Sequence, residues 1–467
     1  MVVIGAGPAG LTAAYDLTRQ GVPTVVFDQD TQVGGIAKTV VYKGFRFDIG
    51  GHRFFTKVST VSDLWHELLG SDLLTRPRLS RIYDNGRFFD YPLKAANVLA
   101  NLGPATSLAV LASYARGQWS PIRPEVSFED WICNRFGRRL FEMFFESYTE
   151  KVWGIPCSRL GAQWAAQRIK GLSLWTAALS MLRPSDGGDI KSLIHAFEYP
   201  RLGPGMMWEA CRDRVEAAGG EVATGARVVG LRHEGGRVHH VVVEQNGARR
   251  EQPASHVIST MPIRHLVRGL APGAPAGVQQ AAARLKYRDF LTVALIVDRA
   301  DVFPDNWIYI HDPSVRVGRI QNFKNWSPEM VPDPALTCLG LEYFCSKGDD
   351  LWQMADADLV TLATREIGQV GLIGNARIVD ATVMRVPKAY PVYDEGYEEA
   401  LQDIRAWLEG LSNLQLVGRN GMHRYNNQDH SMLTARLAVR NLFGGRHDLW
   451  SVNADEDRHE EGVDGRS

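Results

Sequence analysis

The stretch Val2-Val3-Ile4-Gly5-Ala6-Gly7-Pro8-Ala9-Gly10-Leu11 decides the fold. Three consecutive β-branched residues read as a buried parallel strand, and the glycines after them are spaced for a turn into a helix. Gly5 permits the tight turn, Gly7 lets the backbone approach a pyrophosphate, and Gly10 lets helix and strand pack closely, with Pro8 and Ala9 in the same turn. The spacing predicts a helix over residues 11–20, whose first N–H groups and partial positive charge suit phosphates. A second apolar run over residues 23–27 ends at Asp28, 18 positions after Gly10. A carboxylate at that strand end can accept hydrogen bonds from ribose hydroxyls. Strand, helix, strand and terminal acid in one register specify a dinucleotide-binding β-α-β unit.

The 467 residues are 45% apolar and 22% charged, with a formal net charge of -1. That is the composition of a globular protein, too long for one core, so two or three subdomains are expected. No global field draws the chain to nucleic acid or membrane, although a local basic pocket for a phosphorylated ligand remains open. No apolar run reaches the about 20 residues needed to span a bilayer, and the apolar N-terminus lacks a basic flank. Cys133, Cys157, Cys211, Cys338 and Cys345 form no CxxC pair and read as reduced thiols of a cytoplasmic protein. No Ser-His-Asp order, zinc spacing or paired-carboxylate motif stands out, so the chemistry is expected to belong to a bound cofactor.

Residues 81–91 read as a hairpin turning at Asn85-Gly86, the pair favoured by type I′ geometry. A helical pattern runs over residues 94–193, with the aromatics of residues 128–151 on roughly helical spacing. Residues 226–260 alternate as short strands, with turns at Glu234-Gly235-Gly236 and Asn246-Gly247. A strand-rich block covers residues 291–343; a last strand over 414–417 leads into Gly418 and a helix from about Asp429. The acidic tail after Val452 is expected to be disordered.

Gly34-Gly35, shortly after Asp28, resembles the Gly-Gly extension of the glutathione-reductase-type FAD family. That resemblance implies FAD over NAD. It also implies an α/β fold: a Rossmann-type FAD-binding domain, an inserted helical subdomain and a mixed or antiparallel β-sheet substrate subdomain. The expected division is 1–70, 196–265 and 412–447 for FAD, 71–93 and 266–411 for the sheet, and 94–195 for the helices, with 448–467 as the tail. Val228, in the second strand block, joins the expected cofactor set.

Four further segments together resemble the flavin-dependent UDP-galactopyranose mutases, within the wider amine oxidase and protoporphyrinogen oxidase superfamily. Gly50-Gly51-His52 matches the loop that in those enzymes lies against the isoalloxazine. Tyr148-Thr149-Glu150-Lys151-Val152-Trp153-Gly154 matches the signature whose tyrosine and tryptophan line a nucleotide-sugar pocket; Trp164 and Arg168 continue it, with Gln167 where that family has Glu. Tyr309, Arg319 and Asn325-Trp326-Ser327-Pro328 match a diphosphate-holding segment in which Trp326 replaces a tyrosine. Gly418-Arg419 through Tyr425, Asn427-Gln428-Asp429-His430-Ser431 matches the segment that holds the diphosphate and faces substrate and flavin. Arg424, between them, reads as readily as a solvated surface residue. Tyr91 and Lys94 fall where the family reads its base, and Lys94 replaces a uracil-reading glutamine.

The resemblance implies a pyranose–furanose interconversion of a nucleotide-diphosphate sugar, with N5 of reduced flavin attacking the anomeric carbon and NAD(P)H as a possible reductant. His52, Arg319 and Arg419 are the implied catalytic residues, the arginines holding the leaving diphosphate. The same features also resemble amine oxidases, protoporphyrinogen oxidases and carotenoid desaturases, which would make the chain a net oxidoreductase. A flavin-binding scaffold or sensor is the third reading.

Overall fold

The computed structural model describes residues 1–91, 93, 95–162 and 196–453. The opening unit consists of the strand Val2–Ile4, the helix Pro8–Arg19 and the strand Val25–Phe27. The helix starts three residues before the expected position, because Pro8 suits a first turn whose N–H groups have no intrahelical partner. Three more parallel strands complete a sheet in the order Leu414–Leu416, Val257–Ser259, Val2–Ile4, Val25–Phe27, Glu221–Ala223. The helix Pro8–Arg19 packs against both Gly205–Ala217 and Gln428–Leu442. This is the parallel, helix-covered sheet that the first ten residues imply, assembled from segments far apart in sequence. The strands Ala226–Glu234, Arg237–Gln245 and Ala248–Pro253 form an antiparallel meander beside it, with positive φ at Gly235, Gly236, Asn246 and Gly247.

A seven-stranded sheet stands opposite, in the order Ile378–Pro391, Tyr287–Val297, Thr337–Cys345, Arg319–Asn322, Trp307–Ile310, Ser80–Asp84, Arg87–Asp90. The last two strands are the expected hairpin, turning through Asn85 (φ 48°) and Gly86 (φ 77°). The strand Ile378–Pro391 lies beyond the block expected from sequence; Asp380, Arg385 and Lys388 interrupt its apolar pattern. Side chains alternate across the sheet. Leu291, Val293, Leu295, Ile308, Ile320, Leu339 and Leu341 are buried on one face, beneath the helix Asp356–Val370. Trp307, Tyr309, Arg319, Gln321 and Glu342 therefore stand on the other.

A bulge adjusts this second face. Phe290 pairs with Val386, yet Arg288, two positions away, pairs with Tyr390, four positions on. The surplus residues turn through Lys388 at φ 57°, whose N–H donates to Asp289 Oδ1 at 2.6 Å. Such an insertion re-aims the side chains that follow it, and Tyr390 enters the space between the two sheets.

The aromatic-rich stretch 128–151 is helical but broken into Phe128–Phe136, Arg138–Phe141, a π-helical turn and Ser147–Trp153. The first break is at Gly137 (φ 83°), where a Cβ would lie 2.7 Å from the Tyr114 backbone nitrogen of the helix Ala95–Trp119. Close helix crossing interrupts what spacing alone joins. All five cysteines are buried and free. Among the described residues, no helix is long and apolar enough to cross a membrane. The expectations for Lys94, Trp164, Arg168 and the tail beyond residue 453 fall outside the described residues.

A Cβ at position 10 would lie 1.8 Å from the carbonyl oxygen of Gly5. Gly10→Ala is therefore expected to destabilise the protein by about 1–3 kcal/mol through overpacking, read by urea denaturation. A variant as stable as the wild type would contradict the packing.

Candidate active site

A cavity of about 960 Å³ opens between the Gly-rich turn and the inward face of the seven-stranded sheet. Gly5, Gly7, Pro8, Ala9, Asp28, Gly35 and Val228 line it, as do Gly50, Gly51, His52, Gly418, Asn427, Gln428 and Ser431. Tyr309, Arg319, Trp326, Arg419 and Tyr425 complete the sequence-derived set on its wall. Gly10 and Gly34 stand just behind. Gly34 (φ 101°) donates its N–H to Ala6 O at 2.8 Å, which places Gly35 against Gly7.

The turn is braced by Asp28, whose carboxylate accepts from the N–H groups of Ala6 at 2.6 Å and Asp30 at 2.8 Å. Burial raises its pKa, and those two backbone donors oppose the rise. Gly7 is instructive. Its backbone is extended (φ -82°, ψ -173°) and the nearest atom to a Cβ there would be 3.8 Å away. Neither strain nor a protein neighbour demands glycine at this position. The remaining reason is close approach of a ligand to the backbone.

Asn427 caps the helix Gln428–Leu442, whose N-terminus meets the cavity and favours negative charge there. Gln428 Oε1 accepts from Trp208 Nε1 at 3.1 Å, while its Nε2 is buried without a partner among the described residues. Trp307 Nε1, Gln321 Oε1 and Asn420 Oδ1, also on the wall, are buried without partners as well. Buried polar groups are seldom left unmade. Together with Gly7 they fit a large polar cofactor and a second ligand sharing this cavity.

Arg319 and Arg419 reach the same space from different elements. Arg319 Nε and Nη2 both lie 2.5 Å from Glu342 Oε2, a carboxylate with no solvent exposure. Burial disfavours the charge on Arg319, but Glu342 outweighs it and holds the guanidinium pKa well above its ordinary value. Among the described residues Arg419 donates to backbone carbonyls alone, Asn426 O at 2.9 Å and Ala389 O at 3.0 Å, and it lies over the Tyr425 ring at 4.6 Å. Tyr425 stacks on Tyr390 at 5.5 Å. The His52 Nδ1 lies 3.1 Å from Gly50 O. Burial, then the charges of Arg419 and Arg319, push its imidazole down to about 3. His52 is thus neutral, in a field set by both arginines.

Other sequence-derived residues stand one layer back. Trp153 is buried against Tyr390, Tyr393 and Tyr425 rather than on the wall. Tyr148 stacks on His311 at 4.8 Å and meets the edge of Tyr309 at 5.4 Å. Lys151 between them donates to the carbonyls of Ile310, Asp312 and Val317, so this motif fastens a helix to the sheet. Tyr91 is 40% exposed and contacts the ring of Tyr309, outside the cavity wall. Trp326 touches the cavity but is mostly core: its Nε1 donates to Asn306 O at 2.9 Å and its ring stacks on Trp307. Arg424 is no surface residue; Nη1 donates to the carbonyls of Trp450 and Val452 and ties down the last described segment. Glu342, Gln321, Tyr390 and Asn420 were absent from the sequence-derived set. Only the alternation around Arg319 hinted at Gln321; the others depend on sheet register and the bulge.

Parallel sheet, Gly-rich turn and a cavity with unmade polar groups define an enzyme built around a dinucleotide cofactor. A family profile described as "Flavin containing amine oxidoreductase" matches residues 8–426, and the chain belongs to that family, an FAD-dependent enzyme of the amine oxidase superfamily. Phytoene desaturase (lycopene-forming) of Pantoea ananas is 25% identical over 303 residues, 60% of this chain and 59% of its own. A "Probable UDP-galactopyranose mutase" of Klebsiella pneumoniae is 25% identical over 171 residues, 35% of this chain and 43% of its own. The chain therefore spans less than two thirds of the length of these curated relatives. Among solved structures, reduced UDP-galactopyranose mutase superposes with a TM-score of 0.84 at 21% identity, covering 98% of both chains. At that identity the likeness is one of fold.

Two outcomes follow. Gly7→Ala, which meets no protein atom closer than 3.8 Å, is expected to fold normally yet retain FAD at least about tenfold less tightly, about 1.4 kcal/mol; unchanged retention in dialysed protein would contradict a ligand at this turn. For His52, NMR of labelled histidine is expected to show no titration between about pH 5 and 9, because its pKa is pushed down to about 3. A midpoint near 6.5 would contradict the burial of His52 beside the two arginines.

Proposed function

We propose that this enzyme interconverts ring forms of a nucleotide-diphosphate sugar. The observation that carries the reading is the convergence of Arg319 and Arg419 on one cavity beside His52 and Tyr390. Planar guanidinium groups donate paired charged hydrogen bonds to phosphate oxygens. An apolar substrate has no use for two such groups. When bound in its reduced form, FAD supplies a nucleophilic nitrogen to the anomeric carbon.

The chain's own residues do the rest. Gly5, Gly7, Pro8, Ala9 and Gly35 would cradle the cofactor's pyrophosphate, Asp28 would meet its ribose, and Val228 its adenosine portion. Gly50, Gly51, His52, Gly418, Asn427, Gln428 and Ser431, which line the cavity, would hold the cofactor's ring system. Arg419, with no carboxylate partner among the described residues, carries its positive charge to the leaving diphosphate. Arg319 brings donors whose charge is already balanced by Glu342. A diphosphate ester carries about two negative charges, and Arg53, also on the cavity wall, supplies the second cation. Holding the leaving group in place allows it to return without hydrolysis. Neutral His52 adds no competing cation and accepts or donates a hydrogen bond near the reacting edge. Tyr309 and Tyr425 offer flat faces to sugar or base. NAD(P)H or another reductant supplies the reduced state.

A second reading, oxidation or desaturation of an organic substrate, draws on the likeness to phytoene desaturase and on the apolar wall formed by Phe290, Met384 and Val386. The two part experimentally. Dithionite-reduced protein is expected to isomerise a nucleotide hexose while oxidised protein does not. Equal rates in both forms, or anaerobic bleaching of the flavin by an amine, porphyrinogen or polyene, would overturn the isomerase reading.

A further inference from the structure

Gln321 is fully buried on the inward sheet face, two positions from Arg319 on the same strand. Its Nε2 donates to Glu342 Oε1 at 3.0 Å. A carboxylate only accepts, so this contact fixes which end of the amide is which. The other end, Oε1, is a buried acceptor with no partner among the described residues. Across the strand pair its register partner is Trp307. Directly opposed residues stand on the same face, and the indole Nε1–H of Trp307 is a buried donor with no partner. Both residues line the cavity. Neither can turn away. Glu342 holds the amide, and the Trp307 ring stacks on Trp326 at 5.2 Å. The amide also presses on the Gly-Gly-His loop: a Cβ at position 51 would lie 2.8 Å from Gln321 Nε2.

We propose that Gln321, with Trp307 opposite, reads hydroxyl groups of the substrate's sugar ring. This rests on the nucleotide-sugar reading and narrows it to the hexose moiety. One sugar hydroxyl donates to Gln321 Oε1, and one accepts from Trp307 Nε1–H. The chemistry selects the ligand. A polyene can make neither bond. A protonated amine can satisfy Gln321 but cannot accept from the indole. A polyhydroxylated ring does both. Glu342 is the positioning residue, with one carboxylate oxygen on Arg319 and the other on Gln321. A single buried group thereby sets the diphosphate contact and the hydroxyl contact in fixed relation.

The test compares reduced wild-type holoenzyme with Gln321→Met, which keeps the side-chain volume and removes the acceptor. Calorimetry gives Kd for UDP-galactose, dTDP-glucose and GDP-mannose, and for UDP, dTDP and GDP. For each pair the wild type binds, the ratio of hexose-bearing to bare diphosphate affinity is expected to fall about tenfold in the variant, with the bare diphosphate within about twofold of wild type. Flavin content and melting temperature report folding. Gln321→Asn, which withdraws the oxygen by one methylene, carries the same expectation should the Met variant not fold. An unchanged ratio overturns the hydroxyl contact alone. Equal loss for both ligands overturns it too, since Gln321 would then act only through Arg319. A wild type that binds none of the six overturns the nucleotide-sugar reading and this inference together.

Discussion

Arg319 stays charged inside the protein because Glu342, itself without solvent exposure, holds it through two nitrogens at 2.5 Å. A buried ion pair of this kind is weak evidence for stability, since desolvation offsets most of its attraction. Its value here is geometric. Arg319 and Glu342 are register partners on adjacent strands, so the sheet fixes them before any ligand arrives. The same carboxylate orients Gln321. Arg419 is fixed differently, by carbonyls of the bulged strand and of the loop before the helix Gln428–Leu442, with Tyr425 beneath it. One cation is neutralised and rigid, the other has no carboxylate partner among the described residues, and both add to the burial that keeps His52 neutral.

That arrangement explains why the cavity walls differ. The side contributed by the parallel sheet is backbone: glycines, a braced carboxylate and a helix N-terminus, suited to a cofactor held by its phosphates. The side contributed by the seven-stranded sheet is side chain, with aromatic faces, guanidinium groups and unmade donors and acceptors. Family membership accounts for the first side. The second is where superfamily members with different substrates would diverge, and its polar groups are the basis of the proposal of a nucleotide sugar.

Much of this was legible in the sequence, for local reasons. The β-α-β unit is set by neighbours within 30 residues, so Gly5, Gly7, Gly10 and Asp28 could be read directly. Gly10 is needed because Gly5 O leaves no room for a Cβ, a relation already present in the glycine spacing. The hairpin at Asn85-Gly86 was local in the same way. Arg319 and Arg419 stood out through short segments, although nothing in those segments reveals Glu342, 23 positions from Arg319, as a partner. That pairing exists only in sheet register. Trp153, Tyr148 and Trp326 show the reverse. Their motifs lie near the site, yet the first two, on the broken helix Ser147–Trp153, stand behind the wall, and the third, ending the short helix Phe323–Trp326, lies mostly in the core. Tyr390 reaches the cavity only through the extra residues around Lys388, and no periodicity announces a bulge.

The central claim is that the two arginines share one anion. A double-mutant cycle on reduced holoenzyme tests it most directly, with pyrophosphate affinity measured by calorimetry for Arg419→Gln, for Arg319→Gln combined with Glu342→Gln so that no buried charge is orphaned, and for the triple variant. The account predicts a coupling of more than about 1 kcal/mol between the two arms. Effects that add within about 0.3–0.5 kcal/mol would mean that the groups act on separate sites, and would contradict it.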